Sequence, residues 1–131
     1  LGHDCCLISL SDLLTPWELI ERRLRAAAQA DFLIALYNPS SKKRKDYLAR
    51  ACDILLEYKE ESIICGIVRN IAREEESMNI LTLKELRNTE VDMFSTVYIG
   101  NKMTKIINHL VKHHSLYNCV HFDVHIIIFY I

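Results

Sequence analysis

The chain has 131 residues, half of them hydrophobic and a quarter charged, with a formal net charge of −1. That length fits one domain with a core of useful size and not two, and the near-neutral balance excludes a globally basic nucleic-acid binder. The longest apolar run, Ile126 to Ile131, falls far short of the ~20 residues that span a bilayer, so no membrane partner is expected.

Cys5 to Leu10 is an apolar run that reads as a buried strand, with Ser9, Ser11 and Asp12 delivered to its rim. A helix should follow at once, with Thr15 as N-cap, Pro16 in the first helical position, Glu18 closing a capping box, and Leu14 and Leu19 as a hydrophobic staple. Within it Trp17, Ile20, Leu24 and Ala27 or Ala28 recur at helical spacing and define one buried face. Phe32 to Tyr37 is continuously apolar and ends in Asn38 and Pro39, which predicts a central strand covered on both faces. Ser40 or Ser41 can cap a second helix striped by Leu48, Ala51 or Cys52, and Leu55. Ile63 to Val68 reads as a third strand, Arg73 to Ser77 as a polar loop, Asn79 to Leu83 as a short strand, Leu83 to Leu86 as a helical turn, and Ser95 to Ile99 as another strand. Past Lys102, the spacing of Met103, Ile106, Ile107, Leu110 and Val111 predicts a helix. The alternation as a whole predicts an α/β fold with a mixed or parallel sheet and flanking helices.

In such sheets ligands gather beyond the carboxyl ends of strands, where this chain places Ser9, Ser11 and Asp12, then Tyr37, Asn38 and Ser40, then Arg69, Asn70 and Arg73. The same residue types also close turns and cap helices, so spacing alone leaves both roles open. The run Lys42 to Lys45 falls at the start of the second predicted helix, where the helix dipole disfavours cations and a bound anion would resolve the conflict. Five cysteines without a paired spacing suit reduced thiols in a cytoplasmic protein. His109, His113, Cys119, His121 and His125 are too loosely spaced to define a metal site, and none is expected. No basic region precedes a long apolar one, so no secretory signal is expected, and the start at Leu1 reads as that of a fragment.

Four segments, GHDCCLISLSDLLTPWELIE, ADFLIALYNPSSKKR, GIVRNIARE and VDMFSTVYIGNKMT, occur in an order and spacing that resemble the C-terminal half of precorrin-3B C17-methyltransferases, tetrapyrrole methylases of the cobalamin pathway. The resemblance covers residues 1–111 and leaves 112–131 as a divergent tail. It implies a transferase that uses S-adenosylmethionine to methylate C17 of a precorrin-3B-type tetrapyrrole while contracting its ring. The cofactor would lie between two domains, of which the N-terminal one, with its glycine-rich turn, is missing here, and the full-length family would form homodimers. By similarity Tyr37, Asn38, Asn70, Ala72, Leu81 and Thr82 would touch the cofactor. Ser9, Ser11, Asp12, Arg44, Arg69 and Arg73 would face the substrate. The family more often carries Ala-Gly where this chain has Ile71 and Ala72, which adds bulk at a close approach. His3 and Asp4 are either a proton-transfer pair or a turn, and no general base is assigned. The alternative function is a non-catalytic remnant or scaffolding domain that pairs with a separate N-terminal half.

Overall fold

In the computed structural model, residues 4–71, 73–107, 110–115 and 118–121 are described. The first unit is β1 (Cys5–Ser9), α1 (Trp17–Gln29) and β2 (Leu33–Tyr37), with the two strands parallel and Ile8 beside Leu36. Then come α2 (Tyr47–Leu56), β3 (Ile64–Arg69), β4 (Ser77–Thr82), α3 (Leu83–Arg87) and β5 (Ser95–Ile99). The five strands form one mixed sheet in the order β1-β2-β5-β3-β4. β5 lies antiparallel between β2 and β3, so β3 runs parallel to β1 and β2. The expected α/β fold is therefore present, and β2 is an interior strand next to the central β5.

Alternation along the strands puts Ile8, Ile34, Leu36, Cys65, Ile67, Val97 and Ile99 on one face of the sheet. That face joins Ile20, Leu24, Ala27 and Ala28 of α1, Leu48, Ala51, Cys52, Ile54 and Leu55 of α2, and Leu83 and Leu86 of α3 in one core. The predicted helix stripes are thus the buried ones. No helix among the described residues is long and apolar enough to cross a membrane.

Three local expectations are corrected. α1 starts at Trp17 with Pro16 as its N-cap and no side-chain capping bond, and Leu14 is 98% exposed, so neither the Thr15–Glu18 box nor the staple forms. α2 starts at Tyr47, several residues after Ser40 and Ser41, because Ser40 to Asp46 is taken up by turns. The lysine run is thereby a loop and not a first helical turn. Past Lys102 the chain forms strands: β6 (Thr104–Ile107), β7 (Leu110–Ser115) and β8 (Asn118–His121) make a separate antiparallel sheet.

The reason for this last correction lies in the turn before β6. Asn101 N–H donates to Thr104 Oγ1 (3.0 Å), Thr104 N–H to Asn101 O (3.0 Å) and Met103 N–H to Asn101 Oδ1 (3.0 Å). This side-chain-locked turn sends β-branched Thr104, Ile106 and Ile107 into extended backbone, which overrides an apolar spacing that happens to match a helix. Gly100 permits it, since a Cβ there would sit 2.7 Å from both Ile64 O and Thr104 Oγ1.

Lys59, with a side chain 1% exposed, closes the opposite side of the fold. Its ammonium donates to Asp31 Oδ1 (3.1 Å), Phe32 O (3.2 Å) and Gly100 O (3.1 Å). It therefore fastens the end of α2 to the start of β2 and the exit of β5, and its three donors are matched by three acceptors.

Candidate functional site

The strand directions bring the carboxyl ends of β1, β2 and β3 to one edge of the sheet, together with the amino ends of β4 and β5. Ser9, Tyr37, Arg69 and Ser95 meet there. Just beyond, a cavity of about 260 Å³ is lined by Tyr37, Asn38, Asn70, Arg73, Met93 and Phe94, among others. The two asparagines that end β2 and β3 both adopt left-handed backbone, φ 51° at Asn38 and 53° at Asn70. Asparagine tolerates this conformation better than most residues, and it turns the chain sharply at the site.

Each asparagine is locked locally. Asn38 Nδ2 donates to Ser9 Oγ (3.3 Å), and that hydroxyl also accepts Ser11 N–H (3.2 Å). Asn70 N–H donates to Phe94 O (3.2 Å), while its Nδ2 donates to Glu75 O (3.4 Å). Of the expected cofactor contacts, Tyr37, Asn38 and Asn70 are therefore brought together, and Ala72 lies outside the described residues. Leu81 and Thr82 sit at the opposite edge of the sheet, paired with Cys65 and Ile64 at the start of β3. Leu81 packs against the core, and Thr82 caps α3, its hydroxyl accepting Glu85 N–H (3.3 Å) while Glu85 Oε2 accepts Thr82 N–H (2.7 Å). The structure does not bring this pair to the site.

The expected substrate residues divide into two groups. Arg44 Nη1 donates to Ser11 Oγ (2.9 Å) and Asp12 Oδ1 (3.1 Å), its Nε donates to Ser41 Oγ (3.0 Å), and Tyr47 O–H donates to Asp12 Oδ2 (2.6 Å). The Tyr47 hydrogen bond, with help from Arg44, holds the Asp12 carboxyl below the usual carboxylate range, and the same bond pushes Tyr47 up. Ser11, Asp12 and Arg44 thus satisfy one another and fix the loop before α2. Tyr47 also stacks on Trp17, ring centres 4.4 Å apart, and the Arg50 guanidinium lies 4.3 Å over the indole.

In the second group, Arg69 pairs with Asp92, and the Arg73 guanidinium lies 5.8 Å from the centre of the Phe94 ring. Asp92 organises the turn into β5, accepting Phe94 N–H (3.0 Å) and Ser95 O–H (3.0 Å) as well as the arginine. Burial pushes the Asp92 carboxyl up, but the Arg69, Ser95 and Phe94 donors outweigh it and leave it below its ordinary value. Asp92, Met93 and Phe94 were not singled out from sequence, although Asp followed three residues later by Ser is a turn signal. Among the described residues, no group of three His, Cys, Asp or Glu side chains is placed to hold a metal ion; His3, His109 and His125 lie outside them.

Comparison with known proteins gives this edge its context. No family model matches the chain. It is 48% identical over 102 residues to a cobalt-factor III methyltransferase of Priestia megaterium, a match covering 78% of this chain and 19% of the relative. It is 47% identical over 106 residues to a probable cobalt-factor III C(17)-methyltransferase of Salmonella typhimurium, 81% of this chain and 44% of that one. A precorrin-3B C(17)-methyltransferase of a Sinorhizobium species is 45% identical over 107 residues, 82% and 42% of the respective chains. This chain is a relative of the C-terminal part of the C17-methyltransferases.

The crystal structure of the methyltransferase CobJ superimposes with a TM-score of 0.76 at 37% identity, covering 85% of this chain and 46% of CobJ. The cobalt precorrin-4 methyltransferase CbiF, at 15% identity and a TM-score of 0.54, shares the fold. The chain spans less than half the length of these methyltransferase relatives.

Proposed function

We propose that this chain is the C-terminal half of an S-adenosylmethionine-dependent enzyme that methylates C17 of a precorrin-3B- or cobalt-factor III-type tetrapyrrole, with ring contraction, in cobalamin biosynthesis. The observation that carries this reading is the 45–47% identity to relatives named for C17 methyl transfer. The geometry supports it: Tyr37, Asn38, Asn70 and Phe94 offer aromatic faces and amide groups to one side of an open cavity, chemistry that suits a nucleoside. A cavity of about 260 Å³ walled on one side holds part of such a ligand, and the N-terminal half would supply the other wall.

S-adenosylmethionine supplies an electrophilic methyl group. What remains for protein is to hold it in line with a ring carbon, for which orientation is worth more than any acid or base. In this reading Asn38 and Asn70 orient the nucleoside through their turned backbones, and Phe94 and Tyr37 keep water from it. Leu81 and Thr82, at the far edge of the sheet, take no part. Residues 1–111 carry these roles, 112–131 form a divergent tail, and the completed protein is a homodimer in the cytoplasm.

The test is binding and turnover after the chain is completed with the N-terminal half of a C17-methyltransferase. Asn38→Gly keeps the left-handed backbone but removes the Asn38–Ser9 bond that fixes this turn, so S-adenosylmethionine should bind about three- to tenfold more weakly by calorimetry, the value of one hydrogen bond. A completed protein that binds no S-adenosylmethionine would refute the reading. The isolated 131-residue chain should show no turnover, since it provides one wall of the cleft.

A further inference from the structure

A second cavity, of about 310 Å³, adjoins the first: Met93 and Phe94 line both. Its other walls are Val91 and the loop that carries Ser40, Ser41, Lys42 and Lys45. Met93 and Phe94 are 59% and 51% exposed, a large apolar surface to leave open in a groove. Across from them, Lys42 and Lys45 are exposed and have no ion-pair partner among the described residues, whereas Arg44 between them is consumed by Ser11, Asp12 and Ser41. The arginine therefore acts as the anchor that sets the loop, and the flanking lysines are the groups left to act.

Two carboxylates face the same groove. Asp92 is neutralised by Arg69, and Glu90 has no ion-pair partner among the described residues, so two ammonium groups stand against one carboxylate. An apolar floor with an excess of cations on one rim fits a flat hydrophobic ring that carries carboxylates at its edge.

We infer that Lys42 and Lys45 form a clamp for peripheral carboxylates of a macrocyclic ligand whose ring lies on Met93 and Phe94, a site distinct from the Tyr37–Asn38 cavity across the same ridge. This deepens the methyltransferase reading and rests on it for the class of ligand. The Met93–Phe94 ridge then separates the nucleoside side from the carboxylate side, and Asp92 positions the ridge through its bonds to Arg69, Phe94 N–H and Ser95.

The experiment is a titration of the 131-residue chain with uroporphyrin, an octacarboxylate macrocycle, followed by its Soret absorbance. The wild-type chain should bind, with affinity falling as salt is raised. Lys42→Gln with Lys45→Gln should weaken binding about tenfold, and Glu90→Gln should tighten it about twofold, each with an unchanged circular dichroism spectrum. Equal affinity in the double variant, or no Soret change with the wild-type chain, would overturn the clamp. Calorimetry with S-adenosylmethionine on the completed protein separates the two ideas. Cofactor binding without porphyrin binding removes the clamp and leaves the methyltransferase reading, whereas porphyrin binding that depends on the lysines with no cofactor binding does the reverse.

Discussion

Lys59→Met removes the buried ammonium while keeping an unbranched side chain of similar length. Three acceptors lose their donor: the carbonyls of Phe32 and Gly100, and Asp31 Oδ1. The Asp31 side chain is 34% exposed and regains water, so its loss is discounted, but the carbonyls face a site where the lysine was 1% exposed. Each carbonyl left without a charged donor costs about 1.5 to 3 kcal/mol, partly offset because an ammonium no longer has to be desolvated. A net loss of about 3 kcal/mol follows, which at a urea slope of about 2 kcal/mol/M lowers the midpoint by about 1.5 M. The assay is urea unfolding followed by circular dichroism. Lys84→Met is the control: its pair with Glu61 is exposed on both sides and screened by solvent, so the midpoint should not move measurably. If the two variants shift the midpoint equally, the buried lysine is not the fastening described.

Thr82→Ala should cost about 1 kcal/mol of stability through loss of the α3 capping box, while S-adenosylmethionine affinity of the completed protein stays unchanged; reduced affinity at full occupancy would return Thr82 to the site. Cys52 and Cys65, whose thiols burial pushes up to about 12, should resist alkylation at pH 8 until denaturant is added, whereas Cys5, surface-exposed although partial burial also pushes its thiol up, should react ahead of them in the folded chain, as peptide mass spectrometry would show. Asp12 has a lowered pKa in the fold, so its contribution is present above the ordinary carboxylate value and is lost as pH falls through the depressed one. Asp12→Asn should therefore flatten the acid limb of the unfolding midpoint below about pH 4, and an unaltered limb would show that the Tyr47 and Arg44 bonds do not persist in solution.

The elements that sequence conveyed well are those whose burial pattern is one-dimensional. Ile20, Leu24 and Ala27 in α1, Leu48, Ala51 and Leu55 in α2, and the continuous run of β2 each meet the core as their spacing requires. Helix starts were harder to read. Thr15-Pro16-Trp17-Glu18 has the letters of a capping box that does not form, whereas Thr82-Leu83-Lys84-Glu85 forms one inside a segment read as a strand followed by a turn. The same four-residue grammar fits both, and only the tertiary position of the preceding chain decides between them. At the site, Asn38 and Asn70 were legible because strand ends carry ligands, but the fate of the arginines was not. Whether Arg44 or Arg69 is free depends on partners 32 and 23 residues away, Asp12 and Asp92, that no local pattern reveals.

The middle strand of the five-stranded sheet is also the last of the five to be synthesised. β1 and β2 pair with each other, β3 and β4 pair with each other, and only β5 joins the two pairs, through contacts such as Ile34 with Ile99 and Cys65 with Ile99. On a ribosome the nascent chain would carry two half-sheets linked only through α1, α2 and α3 until residues 95–99 emerge. Pairing of β5 with β2 closes a loop of some sixty residues, a non-local contact with a high entropic cost, and the Lys59–Gly100 bond depends on it. The strand that completes the sheet is therefore also the one that completes the first cavity, since Ser95 and Thr96 of β5 are part of its wall.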